Sequence, residues 1–464
     1  GSGAAGSVLA YNLAKKTKRK VTILERGSYV VPQRDFTNRE TDMLPMLYTD
    51  GGLQLTQDFD LAILQGSCVG GTTVVNNGIC FRVPDEVLNE WSGLGAEIDR
   101  RLLADSFTDV EKIIRVKELD HNLAGNGSRK FVEGCKRLNL DAQWVHTNFE
   151  ECGGSGYCNL GCKYNRKLSM LLNYLPMAAD LGVEIVPDCI VQKIETDGHR
   201  ATKLICSDKQ KHTYTVTAKT VVIAAGTIAS SGLLMKSGIK KNVGTRVSFN
   251  IATPMHAEFA ERLNTFDGVQ MCCYLKDQDC LLETTFNPPA ASALIMPGWF
   301  EEHTARMTRY PYLATAAPVV GSKSNGKIKK SIFGSIDVDY AMDPHDLMRL
   351  KNGMQLLSKV FLAAGATCVM PSMFETIEIR SDADLYKIDE HVQKPEDVAL
   401  SSAHPQGGNP LSDDPGVGVV DTNFKVHGYD NLYVCDASVF PTSVRVNPQL
   451  TIMAMATYAA QRIA

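Results

Sequence analysis

The chain has 464 residues, 44% of them hydrophobic and 22% charged, an ordinary globular composition that excludes a disordered or fibrous class. A formal net charge of −4 provides no basic field, so nucleic acid is not expected as a partner. No window approaches 18 consecutive apolar residues, so no membrane-spanning helix is expected, while peripheral membrane association stays open.

The chain opens on GSGAAG. Gly1, Gly3 and Gly6 stand where a dinucleotide-binding turn needs small residues to reverse tightly, approach a pyrophosphate and start a helix against a strand. Val8, Leu9, Leu13 and Ala14 follow at helical spacing, and VTILE reads as a short buried strand closing on Glu25, 19 residues beyond Gly6. An acid at that distance is expected to accept hydrogen bonds from ribose hydroxyls. A parallel sheet needs a strand before such a turn, so residues upstream of Gly1 are expected in the natural protein, and any signal peptide would be lost with them. The basic run KKTKRK reads as a solvated helix end.

Residues 64–84, LQGSCVGGTTVVNNGICFRVP, set glycines and small residues ahead of an Asn pair and an apolar run, so backbone must come close to something flat or charged. Residues 151–167, ECGGSGYCNLGCKYNRK, space Cys152, Cys158 and Cys162 as C-x5-C-x3-C among glycines. Three thiols in such a loop can fold round an iron-sulfur cluster, of three or four irons. Zinc suits the spacing less well, and thiols that merely brace the loop are the plainer alternative. Cys135 is a candidate fourth ligand. The chain holds thirteen cysteines, an odd total scattered singly through apolar contexts, which favours reduced core residues and a cytoplasmic location over a disulfide framework.

Residues 220–239, TVVIAAGTIASSGLLMKSGI, read as a buried strand, a glycine turn at Gly226 and a helix starting near Ser230 and Ser231. Between 246 and about 394, strand-like runs such as SIFGSIDVDYAM accompany a helix opened by Asp343. In SSAHPQGGNP, His404 is flanked by small residues that suit an imidazole exposed to a cavity, and histidine is the natural base near neutral pH. From Gly418 onward the chain reads as hairpin, strand, an acid at Asp436, a loop with Pro441 and Pro448, then a helix that Asn447 could cap. His427 fits a turn.

Taken in this order, AAGTIASSGLL and NLYVCDASVFPT...NPQLTIMAMA above all, these stretches resemble the glucose-methanol-choline (GMC) family of flavin-dependent oxidoreductases. The resemblance covers nearly the whole chain. It implies an α/β protein: a Rossmann-like FAD-binding domain assembled from residues 1–90, 165–245 and 395–464, a cap with the cysteine-rich loop at 91–164, and an α+β substrate domain with an antiparallel sheet at 246–394. It implies oxidation of an alcohol to aldehyde or ketone by hydride transfer to FAD, with His404 as base and Asn447 as its partner. Gly1, Gly3, Gly6, Glu25, Gly70, Gly71, Thr72, Asn76, Gly226 and Asp436 are the matching FAD-contacting positions. Residues 66–80 contain no histidine of the kind that tethers FAD in some members, so FAD is expected to be noncovalent.

Within the family, the cysteine loop is similar both to the long-chain alcohol oxidase branch and to sugar dehydrogenases with a three-iron cluster. A cluster on Cys152, Cys158 and Cys162 would pass electrons to a partner protein or quinone. The alternatives are a long-chain alcohol oxidase that reduces oxygen, an FAD-containing lyase without net redox chemistry, and an electron-transfer subunit with a decayed site. NPPAASALIMPGWF gives hydrophobic alcohols a slight edge over sugars.

Overall fold

The computed structural model of the protein describes residues 1–332 and 334–463. The opening turn leads into the helix Ala4–Lys16, whose Val8 and Leu9 are buried against the C-terminal helix Gln449–Ile463. The glycines of the turn are steric requirements. A Cβ on Gly6 would stand 1.9 Å from the Gly1 carbonyl oxygen, and one on Gly1 would stand 2.5 Å from the Ala224 carbonyl oxygen. The turn therefore touches the end of the strand Val221–Ile223 directly.

Short parallel pairs form this half of the molecule: Thr22–Leu24 with Glu184–Val186, and Val221–Ile223 with Leu432–Val434. Each strand comes from a distant part of the sequence, as a parallel sheet with crossover connections demands. A three-stranded antiparallel meander, Ile190–Asp197, Arg200–Ser207 and Thr213–Val216, lies beside them. The helix after Gly226 begins at Thr227, earlier than the expected start near Ser230 and Ser231. Gly226 turns the chain with φ +84°. Ser230 is engaged elsewhere, donating its hydroxyl to Asp436.

The second half is organised by a ten-stranded, mostly antiparallel sheet. Its centre is Leu313–Gly321, buried at every position, with Leu281–Thr285 and Asn250–Ala252 as neighbours. The sheet also takes in Leu61–Ile63, Gln143–Trp144 and Leu400–Ser402 from outside residues 246–394. Pro344–Ala363 covers one face together with Asn126–Arg137. Asp343 caps the former by accepting from the His345 N–H, as its sequence position suggests. Phe333, within the run SIFGSIDVDYAM, lies outside the described residues; its later part forms the strand Ile336–Asp339. Two large apolar cores and one small cluster result among the described residues, and the cavity runs between the sheet and the glycine turn.

Candidate active site

The cavity has a volume of about 1830 Å³ and extends from the Gly1–Gly6 turn to the strand Leu281–Thr285. At its turn end Glu25 is buried, and its first task is local. Oε2 accepts from the Ser2 N–H (2.7 Å) and Ser2 hydroxyl (2.8 Å), and Oε1 from the Gly27 N–H (2.8 Å). Ser2 Oγ accepts in turn from the Gly70 N–H at 3.0 Å, tying the turn to the segment of Gly70, Gly71 and Thr72. The two loops touch so closely that a Cβ on Gly71 would stand 2.9 Å from the Gly3 Cα. Asp436 joins the opposite wall, its Oδ2 accepting from the Gly226 N–H and its Oδ1 from the Ser438 N–H, both at 2.9 Å.

At the far end, the structure brings His404 and Asn447 together: Nε2 and Nδ2 lie 3.5 Å apart. His404 is half-buried on the cavity side, and desolvation holds its imidazole well below the ordinary value, at about 4. Asn250 meets the other edge of the ring, its Nδ2 3.3 Å from Nδ1. The orientation of that amide is fixed twice over, because Nδ2 also donates to the Val446 carbonyl at 2.7 Å and Oδ1 accepts from the Ser443 hydroxyl at 2.6 Å. Each ring nitrogen thus faces an amide nitrogen, Nδ1 that of Asn250 and Nε2 that of Asn447, so the ring is held at both edges.

Three groups here were not anticipated. Asn250 sits in an unremarkable strand, VSFNIAT. Gln449 locks Asn76, accepting from its amide at 2.7 Å and donating to the Ile79 carbonyl at 2.7 Å. Glu283 is a buried acid in the cavity wall, 3% exposed, in contact with the Asn447 amide. Burial pushes its carboxyl up to about 8. The available signal was an acid inside the apolar run CLLETTF, since carboxylates are rarely buried without a reason.

The cavity is built for a polar guest. Asn77, Asn159 and Asn447 line it, and their Oδ1 atoms are buried without a partner among the described residues, where buried polar atoms are normally paired. The glycine turn, whose Gly1 and Gly6 leave no room for a Cβ, fits the close approach of a dinucleotide.

Cys158 is buried and Cys152 and Cys162 are half-buried, yet among the described residues no group of three or more His, Cys, Asp or Glu side chains is arranged to hold a metal ion. The expected iron-sulfur ligand set is not assembled, and Cys135 lies apart in the helix Asn126–Arg137. A buried cation is tied into the loop. Lys167 Nζ donates to the carbonyls of Cys158 (2.7 Å), Val74 (2.8 Å) and Asn76, joining the loop to the segment along the cavity. Desolvation lowers Lys167 to about 8, and burial raises Cys158 to about 12.

A parallel-strand unit with a glycine turn, joined to a sheet-roofed cavity that ends in a histidine-asparagine pair, suits a dinucleotide set against a substrate cavity. The family models for GMC oxidoreductase match residues 44–252 and 323–456, and the chain belongs to that family of FAD-dependent enzymes. It is 29% identical to an uncharacterized GMC-type oxidoreductase of Mycobacterium tuberculosis, over 98% of this chain and 73% of that one. A long-chain-alcohol oxidase of Arabidopsis thaliana is 27% identical over 100% of this chain and 66% of its own length. The fold matches formate oxidase of Aspergillus oryzae with a TM-score of 0.76 at 14% identity, covering 100% of this chain and 96% of the other. Among the described residues, no helix is long and apolar enough to cross a membrane.

Proposed function

We propose that this enzyme oxidises the CH–OH group of a hydrophobic alcohol to an aldehyde or ketone, using noncovalent FAD. The observation that carries the proposal is the His404–Asn447 pair at the end of a cavity whose other end is the Gly1–Gly6 turn. FAD, when bound, supplies the hydride acceptor. Gly1, Gly3, Gly6, Glu25, Gly70, Gly71, Thr72, Asn76, Gly226 and Asp436 would hold it.

His404 and Asn447 flank the place of the carbinol oxygen and fix it by hydrogen bonds, so that the carbinol hydrogen points along the cavity. The remaining wall is largely apolar, formed by Ala252, Pro254, Met271, Ala317 and Val319. That lining, with the activity named for the plant relative, supports long-chain alcohols over sugars.

Oxygen as the electron acceptor is favoured by the same relative and by cysteines that do not form a ligand set. A second route, through a cluster to a partner protein or quinone, is favoured only by the closeness of Cys152, Cys158 and Cys162: beyond burial, Cys162 pushes the Cys152 thiol up, and Cys152 and Cys162 push Cys158 up. Anaerobic mixing with 1-dodecanol tests the reaction: the oxidised flavin band bleaches. A flavin that stays oxidised with every alcohol tried would instead favour the lyase. Peroxide formed in step with alcohol consumed identifies the oxidase.

A further inference from the structure

The backbone fixes Lys167 firmly. It bridges Phe149 in antiparallel fashion, and the next residue is pinned twice to Asn148: the Leu168 N–H donates to the Asn148 carbonyl at 3.0 Å, and the Leu168 carbonyl accepts from the Asn148 amide at 2.9 Å. Lys167 itself is 2% exposed. Nζ ends among the carbonyls of Val74, Asn76 and Cys158, one acceptor for each of its protons. Those acceptors belong to two segments that wall the cavity, which Thr73, Val75, Asn76 and Asn77 line from one and Asn159 from the other. The ammonium therefore stands directly behind the wall.

No carboxylate answers this charge. Burial lowers Lys167 only to about 8, so it stays protonated at pH 7; beyond burial, the groups that act on it are the thiols of Cys158, Cys162 and Cys68. Burial pushes Cys158 and Cys68 up to about 12, which keeps both neutral. Carbonyl dipoles solvate an ammonium at contact distance but leave its net charge intact, and with water excluded its field reaches farther than in solvent. Burying an unpaired cation is costly, and a neutral amide could brace the same carbonyls without that cost.

We infer that Lys167 tunes the electron affinity of FAD bound along this wall, its charge favouring the reduced cofactor. The inference rests on the reading above, in which Asn76 and its neighbours hold FAD. Charge balance gives the direction. The carbinol C–H bond breaks with its electron pair, which passes to FAD as hydride, while the hydroxyl proton passes to His404 and the C–O bond becomes C=O. FAD thereby takes two electrons with one proton and gains one negative charge. A fixed cation in a dry wall stabilises that charge without reorganising. Lys167 acts through the intervening backbone and does not itself touch the reacting atoms.

The test is the two-electron reduction potential of bound FAD at pH 7, set by equilibration with a reference dye, in wild type, Lys167→Gln and Lys167→Arg. Dissociation constants of oxidised and reduced FAD are measured alongside. By linkage the potential follows the ratio of those constants, and tenfold in the ratio is about 30 mV. A residue that only braced the loop would weaken both redox states alike and leave the potential where it was.

The expected wild-type potential lies above that of free FAD in the same buffer. Lys167→Gln lowers it by at least about 30 mV, reduced FAD losing at least about tenfold more affinity than oxidised FAD, and Lys167→Arg restores most of the shift. A Lys167→Gln potential equal to wild type overturns the inference. So does a wild-type potential at or below that of free FAD, even if neither variant folds. Because the dye system supplies the electrons, failure of 1-dodecanol to bleach the flavin would fall on the proposed substrate alone and leave the potentials unaffected. A wild type that takes up no FAD would overturn the proposed function, and this inference with it.

Discussion

Asn250 Nδ2 stands 3.3 Å from His404 Nδ1, and Ser443 and Val446 prevent that amide from turning over. One asparagine on a sheet strand thus holds an edge of the histidine ring. Asn250→Ala removes that support and lets the ring turn. The expected result is a fall of about tenfold in kcat/KM for the alcohol with FAD still bound, read by steady-state kinetics and the flavin spectrum.

A second histidine governs stability instead of chemistry. His256 is fully buried, and desolvation depresses its imidazole to about 4. Because the folded value lies below the unfolded one, the unfolded chain binds more protons as pH falls below about 6.5, and stability is lost between there and about 4. His404 works in the same direction. Tm should therefore drop on acidification from pH 7 to pH 5, and His256→Gln should shallow that slope.

Lys167 spends all three of its protons on the carbonyls of Val74, Asn76 and Cys158. Lys167→Met removes the cation and leaves those oxygens unpaired, at a cost of about 3 kcal/mol. Denaturant unfolding should show the loss, accompanied by weaker FAD binding, because the freed segment includes Asn76. If the thiols hold the loop instead, replacing Cys152, Cys158 and Cys162 together by Ala would cost as much as Lys167→Met. The expectation is a much smaller loss, and purified wild-type protein without stoichiometric iron.

Gly6→Ala forces a methyl group to 1.9 Å from the Gly1 carbonyl oxygen, a contact no side-chain motion relieves. The turn must open, and FAD affinity should fall by at least about tenfold, measured by flavin fluorescence on titration.

The local units were legible in the sequence. The glycine turn, the helix after it and the strand ending at Glu25 are set by interactions within some 25 residues, where periodicity and turn chemistry speak directly. The Asp343-capped helix is of the same kind. His404 and Asn447 were legible by resemblance, since each lies in a distinctive segment. The start of the helix at Thr227 was misjudged because Gly226 could supply the turn on its own and Ser230 was wanted by Asp436, 206 residues away.

By itself, the sequence determined that this is a dinucleotide-binding α/β protein with a histidine and an asparagine available for chemistry. Only the tertiary structure decided how those residues are used. Glu283, Asn250 and Lys167 are ordinary residues in ordinary strands and loops until folding removes water from around them. Their acidity and contacts come from burial and from partners such as Val446, Ser443 and Val74, far away in the chain. Local patterns in the sequence carry neither desolvation nor long-range contact, so the setting of the histidine ring and the contacts of the cysteine loop wait on the fold.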